Sequence, residues 1–191
     1  MDHIYLAGAW VVYFFLHSYL ASSRIKHSLQ KHWPPLTRVY RLIYVAVSTL
    51  GLAGLGWLIS RIPARFVFAS SPAVQVTGII LLLTGVLLII QSFRQYSFTG
   101  FIGLRTDEHD ALQTTGLLKH IRHPIYAGTI LAVLGYIALS PKSTVVVSAL
   151  CIFSYLPIGI YLEEKKLIAL HGEVYKHYRK RVPAVFPKLN F

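Results

Sequence analysis

Long apolar runs alternate with short basic segments along this chain. Five runs stand out, at Ile4–Ala21, Leu42–Ser60, Ala73–Ser92, Ile125–Leu139 and Thr144–Leu162. A helix needs about 20 mainly apolar residues to cross the hydrocarbon core of a bilayer, so the runs read as membrane helices, the fourth a short one. Ser140-Pro141-Lys142-Ser143 makes a tight turn between the fourth and fifth, which predicts a helical hairpin. Beyond the fifth run, over Glu163–Val182, apolar residues recur at Leu167, Leu170, Val174 and Tyr178 among basic ones. That spacing of three and four places them in one stripe on a continuing helix, and Pro183 and Pro187 end it. The expected fold is all-α: a polytopic membrane helical bundle of about five transmembrane helices, the last two a hairpin followed by a cytoplasmic amphipathic helix. It is one integral membrane domain over residues 1–191, with three spans in 1–93 and a long loop, the hairpin and the C-terminal helix in 94–191.

Composition agrees: 54% of the residues are hydrophobic and 14% charged, against about a quarter charged in a soluble domain. The net charge of +12 would suggest nucleic acid on a soluble protein, but no basic stripe interleaves with aromatics here, and no nucleic-acid partner is expected. Arg24, Lys26, Lys31, Arg38 and Arg41 lie between the first two runs, and Arg94, Arg105, Lys119 and Arg122 between the third and fourth. Lys165, Lys166, Lys176, Arg179, Lys180, Arg181 and Lys188 lie in the tail, leaving Arg61, Arg65 and Lys142 for the opposite side. Basic residues collect in cytoplasmic loops. Five spans with the N-terminus outside and the C-terminus in the cytoplasm are therefore expected, in a bacterial inner membrane. The tail's basic faces suit anionic lipid headgroups.

The start, Met1-Asp2-His3, lacks the basic region and cleavage site of a signal peptide, so the first run is expected to stay in the mature chain. Cys151 sits alone in an apolar run and reads as a packing residue. Gly51, Gly54 and Gly56, and Gly128 with Gly135, are expected to let helices approach closely.

The densest polar cluster runs from Leu112 to Gly128 and contains Arg122, His123, Pro124 and Tyr126. Proline suits the first turn of a helix, which places Arg122 and His123 at the mouth of the fourth span, where a helix N-terminus and a guanidinium together hold anions. The same residues also serve as ordinary interfacial anchors. The second cluster is Glu163-Glu164 at the exit of the fifth span, on the side that carries Arg122. Carboxylates there are costly unless they meet water or a partner. They form either an ion pair with Arg122 or a pocket of both charges suited to a ligand with an amino-acid end. The segment from Arg94 to Pro124, with Tyr96, Phe98, Phe101, Ile102 and Leu104, is a long loop with apolar content of its own, a usual mark of function.

Arg122-His123-Pro124-x-Tyr126-x-Gly128, followed by Glu163-Glu164-x-x-Leu167 and His171-Gly172-x-x-Tyr175-x-x-Tyr178, resembles the isoprenylcysteine carboxyl methyltransferase superfamily of integral membrane methyltransferases. The resemblance covers about residues 109–187. Leu118 stands where that family commonly has an aromatic, and Asp110 where a histidine is frequent. Leu16-His17-Ser18-x-Leu20-Ala21-Ser22, Lys26 and Tyr40-Arg41-x-x-Tyr44 resemble the branch with methanethiol S-methyltransferases and NnrU-type membrane proteins.

The resemblance implies S-adenosyl-L-methionine as cofactor, no metal, and a small or lipophilic methyl acceptor, a thiol or an isoprenylcysteine-like carboxylate. It implies a cofactor-binding segment at Arg94–Gly128 and the helix Glu163–Tyr178. Arg122 and His123 would bind the cofactor's amino-acid end and Glu163 or Glu164 its ammonium or ribose. Leu112, Gln113, Thr114 and Gly116 would hold the adenosine part, with Leu167 in the same motif. Arg122, Tyr126 and His17 are the catalytic candidates, Tyr126 shaping the transfer site and His17 lying on the acceptor side. Three other readings stay open: an NADPH-dependent reductase related to sterol reductases, a metal enzyme using His120 and His123, and a non-catalytic NnrU-type protein.

Overall fold

A computed structural model describes residues 1–95 and 112–187. The loop aromatics Tyr96, Phe98, Phe101, Ile102 and Leu104, together with Arg105, Asp110 and Lys188, lie outside the described residues. Among the described residues six α-helices are seen: α1 (Asp2–Leu20), α2 (Ser23–His32), α3 (Pro34–Arg61), α4 (Pro72–Gln95), α5 (Pro124–Leu139) and α6 (Ser143–Arg181). A 3₁₀ turn, Gly116–Lys119, precedes α5. Among the described residues the one β feature is an isolated antiparallel bridge, Phe66 to Lys142. Prolines open α3 and α5, where a missing backbone N–H costs nothing.

Among the described residues three helical stretches are long and apolar enough to cross a membrane: Val39–Arg61, Pro72–Arg94 and Ser143–Arg181. Asp2–Leu20 and Ser23–Leu29, bent by 47°, form a fourth if taken together. The 16 residues of α5 rise about 24 Å at 1.5 Å each, short of a hydrocarbon core about 30 Å thick. The sequence pattern counted it as a fifth crossing. The 39 residues of α6 are about twice what a crossing needs, so its apolar half, Thr144–Leu162, is the spanning part and its polar half projects beyond. Ile79, Ile80, Leu83, Leu87 and Ile90 leave α4 with an exposed apolar face, as lipid requires. The chain is an integral membrane protein.

The chain divides into two compact units, and the division passes through α6 between Tyr155 and Leu156. In the first unit, Met1–Ala69 with Pro141–Tyr155, Leu6, Trp10 and Leu55 form the core, with Val147, Cys151 and Ile152 packed against it. The Trp10 indole donates to Ser148 Oγ at 3.0 Å, and that hydroxyl donates to the Thr144 carbonyl at 2.8 Å, so these two buried groups are paired. Of the three α3 glycines only Gly51 faces a neighbour, the Tyr13 ring; Gly54 and Gly56 have nothing within 4 Å of an added Cβ. Among the described residues nothing packs closely against them.

In the second unit α4 and α5 touch backbone to backbone. A Cβ on Gly85 would lie 2.5 Å from the Ala132 nitrogen, and one on Gly135 would lie 2.5 Å from the Leu82 nitrogen. Gly128 in turn faces the Gly85 carbonyl. Small residues at such a crossing let two membrane helices gain dispersion contact that lipid cannot replace.

Inside α6 the backbone breaks at Gly172, where φ is 56° and ψ −128°. The expected stripe of Leu167, Leu170, Val174 and Tyr178 is therefore not one face. Leu170 and Val174 are exposed while Tyr175 and Tyr178 are buried, because the break resets the rotational phase of the last turns. A side chain in this backbone region is strained. Gly172→Ala is expected to cost about 1–3 kcal/mol, read as a lower melting temperature with the Tyr175–Tyr178 segment losing protection from hydrogen exchange.

Candidate functional site

The site lies in the second unit. His123 precedes Pro124 with a non-helical backbone (φ −124°, ψ 66°), so the chain enters α5 sharply and Arg122 and His123 face the polar half of α6. Their backbone amides are tied down as well: Arg122 N–H donates to the Pro183 carbonyl and His123 N–H to the Ala184 carbonyl, both at 2.9 Å.

Glu164 is the hub. Its Oε1 accepts from Arg122 Nε at 3.0 Å and from Arg122 Nη2, and lies 3.3 Å from His123 Nε2. Its Oε2 pairs with Arg179 Nη1 at 3.3 Å. Arg122 Nη1 turns the other way and donates to the carbonyls of Arg179 (2.9 Å) and Val182. The ion pair left open as an alternative by the sequence is thus present. Glu163 behaves differently. Its side chain is 48% exposed, against 11% for Glu164, and its carboxylate lies 3.6 Å from His123 Nδ1.

Two tyrosines from beyond Gly172 close the cluster. Tyr178 donates to the Leu118 carbonyl at 2.6 Å, which fixes the 3₁₀ turn against the tail. Tyr175 is 1% exposed; its hydroxyl lies beside the Arg122 guanidinium, and its own O–H meets no acceptor among the described residues. Burial pushes that hydroxyl's pKa up, and the negative charge of Glu164 adds to the effect. A buried donor left without an acceptor costs about 1–3 kcal/mol. Tyr175 was visible in the sequence only as part of the tail motif, with no role attached.

Burial alone would raise the Glu164 carboxyl, but the hydrogen bonds and charges of Arg122 and His123 outweigh it and hold the group below its ordinary value. A group depressed in the folded state stabilises the fold above its unfolded pKa, about 4.3 for glutamate. That stability is lost as pH falls through the lower folded value. Melting temperature is therefore expected to drop below about pH 4, with Glu163→Gln keeping the drop and Glu164→Gln largely abolishing it.

Of the other predicted residues, Tyr126 stands edge-on to His123, ring centroids 5.5 Å apart. Gly116 opens the 3₁₀ turn with φ 58°. Leu112, Gln113 and Leu167 are half-buried, and Thr114 is exposed. His17 belongs to the first unit, with Ser48 and Tyr44 as neighbours. Among the described residues no group of three or more His, Cys, Asp or Glu side chains is placed to hold a metal ion.

Residues 73–174 match the family model described as phospholipid methyltransferase. Among curated relatives, the methanethiol S-methyltransferase of Pseudomonas deceptionensis is 30% identical over 177 residues, 86% of this chain and 66% of the relative. The methanethiol S-methyltransferase of Crocosphaera subtropica is 38% identical over 77 residues, 39% of this chain and 29% of the relative. Protein-S-isoprenylcysteine O-methyltransferase B of Arabidopsis thaliana is 32% identical over 95 residues, 49% of this chain and 48% of the relative. The chain spans less than two thirds of the length of each. No solved structure gives a significant match.

Proposed function

Since the chain belongs to the phospholipid methyltransferase family, we propose that it is an integral membrane methyltransferase that uses S-adenosyl-L-methionine and acts on a small or lipophilic acceptor. The acceptor is a thiol or an isoprenylcysteine-like carboxylate, the two classes named by its relatives. One observation carries the reading: a cluster of both charge signs, built by Arg122, His123, Glu163 and Glu164 within the family-matched region, beside the buried hydroxyl of Tyr175. A zwitterionic amino-acid end needs both signs at once, and the residues present fit it.

The site divides the labour. Glu163, half open to solvent, is the carboxylate that meets the cofactor's ammonium or ribose. Arg122, fixed by Glu164 and two carbonyls, presents its positive charge without moving. Together with His123 it holds the cofactor's carboxylate, and the Tyr175 hydroxyl is the donor that such a ligand would satisfy. Tyr126, edge-on to His123, shapes the transfer site, while the backbone of Leu112 to Gly116 holds the adenosine part, with Leu167 in the same motif. When bound, the sulfonium supplies an electrophilic methyl group. The protein's part is to align it with a nucleophile and exclude water. The orientation follows the basic residues, with this cluster on the cytoplasmic side of a bacterial inner membrane.

Binding of tritiated S-adenosylmethionine to the purified protein tests the reading. Wild type binds, and Glu163→Ala loses most of the binding while keeping its melting temperature. Stabilisation by NADPH instead, measured by thermal shift, would replace it with the reductase reading. Stabilisation by neither would leave the non-catalytic one.

A further inference from the structure

A guanidinium has five N–H donors and no acceptor, and those of Arg122 are largely engaged within the protein. Nε and Nη2 each donate to Glu164 Oε1. Nη1 donates to the carbonyls of Arg179 and Val182. The Tyr175 hydroxyl lies beside the same group, and the side chain is 9% exposed. Arg122 therefore meets an incoming carboxylate with its charge and with at most one hydrogen bond.

Arg179 is the opposite case. It lies four residues after Tyr175 on the last turns of α6, so it shares a helix face with that buried ring. Its Nη1 sits 3.3 Å from Glu164 Oε2, and its side chain is 50% exposed. Among the described residues Glu164 is its ion-pair partner, and one contact of that kind engages one donor of the fork. The backbone that carries it is held in place. The Arg179 carbonyl accepts from Arg122 Nη1 at 2.9 Å, Tyr178 donates to the Leu118 carbonyl at 2.6 Å, and the chain at 183–184 is bonded to the amides of Arg122 and His123. The other cations of this stretch are placed differently. Lys176 pairs with Glu173 at 2.6 Å, while Lys180 and Arg181 follow about 100° and 200° further round the helix.

Charge points the same way. Two guanidiniums, of Arg122 and Arg179, meet the single carboxylate of Glu164. That leaves one positive charge unmatched, which is what a ligand carboxylate neutralises. Glu163, half open to water, supplies the opposite sign for an ammonium. A planar guanidinium pairs with a carboxylate through two parallel N–H bonds along one edge, and Arg179 has the open donors for it.

We infer that Arg179 makes the direct hydrogen bonds to the carboxylate of the cofactor's amino-acid end, with Arg122 contributing charge. The inference rests on the proposed function and adds a binding residue to that same site. Arg179 lies beyond the stretch matched by the family model, which ends at residue 174.

The test compares three ligands on the purified full-length protein in nanodiscs, by isothermal titration calorimetry. S-Adenosylmethionine carries both carboxylate and ammonium, decarboxylated S-adenosylmethionine the ammonium alone, and 5′-methylthioadenosine neither. Arg179→Gln is expected to weaken S-adenosylmethionine about tenfold or more, the loss of a hydrogen bond between charged groups. The decarboxylated ligand should bind no more weakly than to wild type. Arg179→Lys keeps the charge that pairs with Glu164 and carries the same comparison. It should weaken S-adenosylmethionine by a smaller factor and again spare the decarboxylated ligand. Glu163→Ala should weaken both ammonium-bearing ligands and spare 5′-methylthioadenosine, so the two residues separate by ligand. Comparable losses for S-adenosylmethionine and its decarboxylated form in the Arg179 variants, or no loss for either, overturn the inference, because an arginine that only braces Glu164 would not tell the two apart. Wild type that binds none of the three overturns the proposed function instead.

Discussion

Glu164→Leu is expected to destabilise the protein by about 3–5 kcal/mol, the usual cost of stripping one partner from a buried charge pair. Removing this carboxylate leaves the buried Arg122 and His123 side chains, 9% and 2% exposed, without their shared counter-charge. It also releases Arg179. The neighbouring substitution Glu163→Leu removes a carboxylate that is half in water, and surface changes of that kind stay within about 0.5 kcal/mol. Unfolding in nanodiscs or mild detergent should separate the two variants clearly. Equal losses would show that the pair shares one structural role. The distinction matters for reading activity data. An inactive Glu164 variant reports on folding, whereas an inactive Glu163 variant that melts normally reports on ligand binding.

The second large effect is expected at the α4–α5 crossing. Gly85→Ala and Gly135→Ala each place a methyl group 2.5 Å from backbone of the facing helix. Backbone cannot rotate aside as a long side chain can, so the helices must separate. Overpacking of this sort costs about 1–3 kcal/mol, and the double variant should cost less than the sum, because one separation of the helices relieves both clashes. Gly54→Ala and Gly56→Ala provide the control, since an added methyl there meets nothing within 4 Å. Melting temperatures for the four single variants should fall into two groups. If all four behaved alike, the loss would come from glycine's backbone freedom and not from the crossing.

Much of this arrangement was legible in the chain. Runs of apolar residues marked α1, α3, α4 and α6, and the turn at Ser140–Ser143 marked the junction of α5 with α6. The meeting of Arg122 and His123 with Glu163 and Glu164 followed from their placement at the ends of two successive apolar runs. Rotation about the helix axis was not legible. Adjacent residues on a helix point about 100° apart, so a Glu-Glu motif does not say which carboxylate turns inward. The same gap hid the fate of the tail stripe, because one left-handed residue at Gly172 resets which positions face in. Glycine roles were ambiguous for a related reason. A glycine on a lipid face and one at a crossing look alike until the partner helix is known, and Gly78 and Gly85 carried no signal by themselves. The partners of His17 come from α3, and no spacing within one helix shows them.

The guanidinium of Arg122 reaches past its carboxylate to carbonyls at positions 179 and 182, and the strands of chain at 122–123 and 183–184 are stitched amide to carbonyl. A proteolytic nick just after Val182, or a rigid fusion partner grafted there, would therefore disturb charge placement sixty positions upstream. Reporter tags for topology mapping belong beyond this stitch on a flexible spacer.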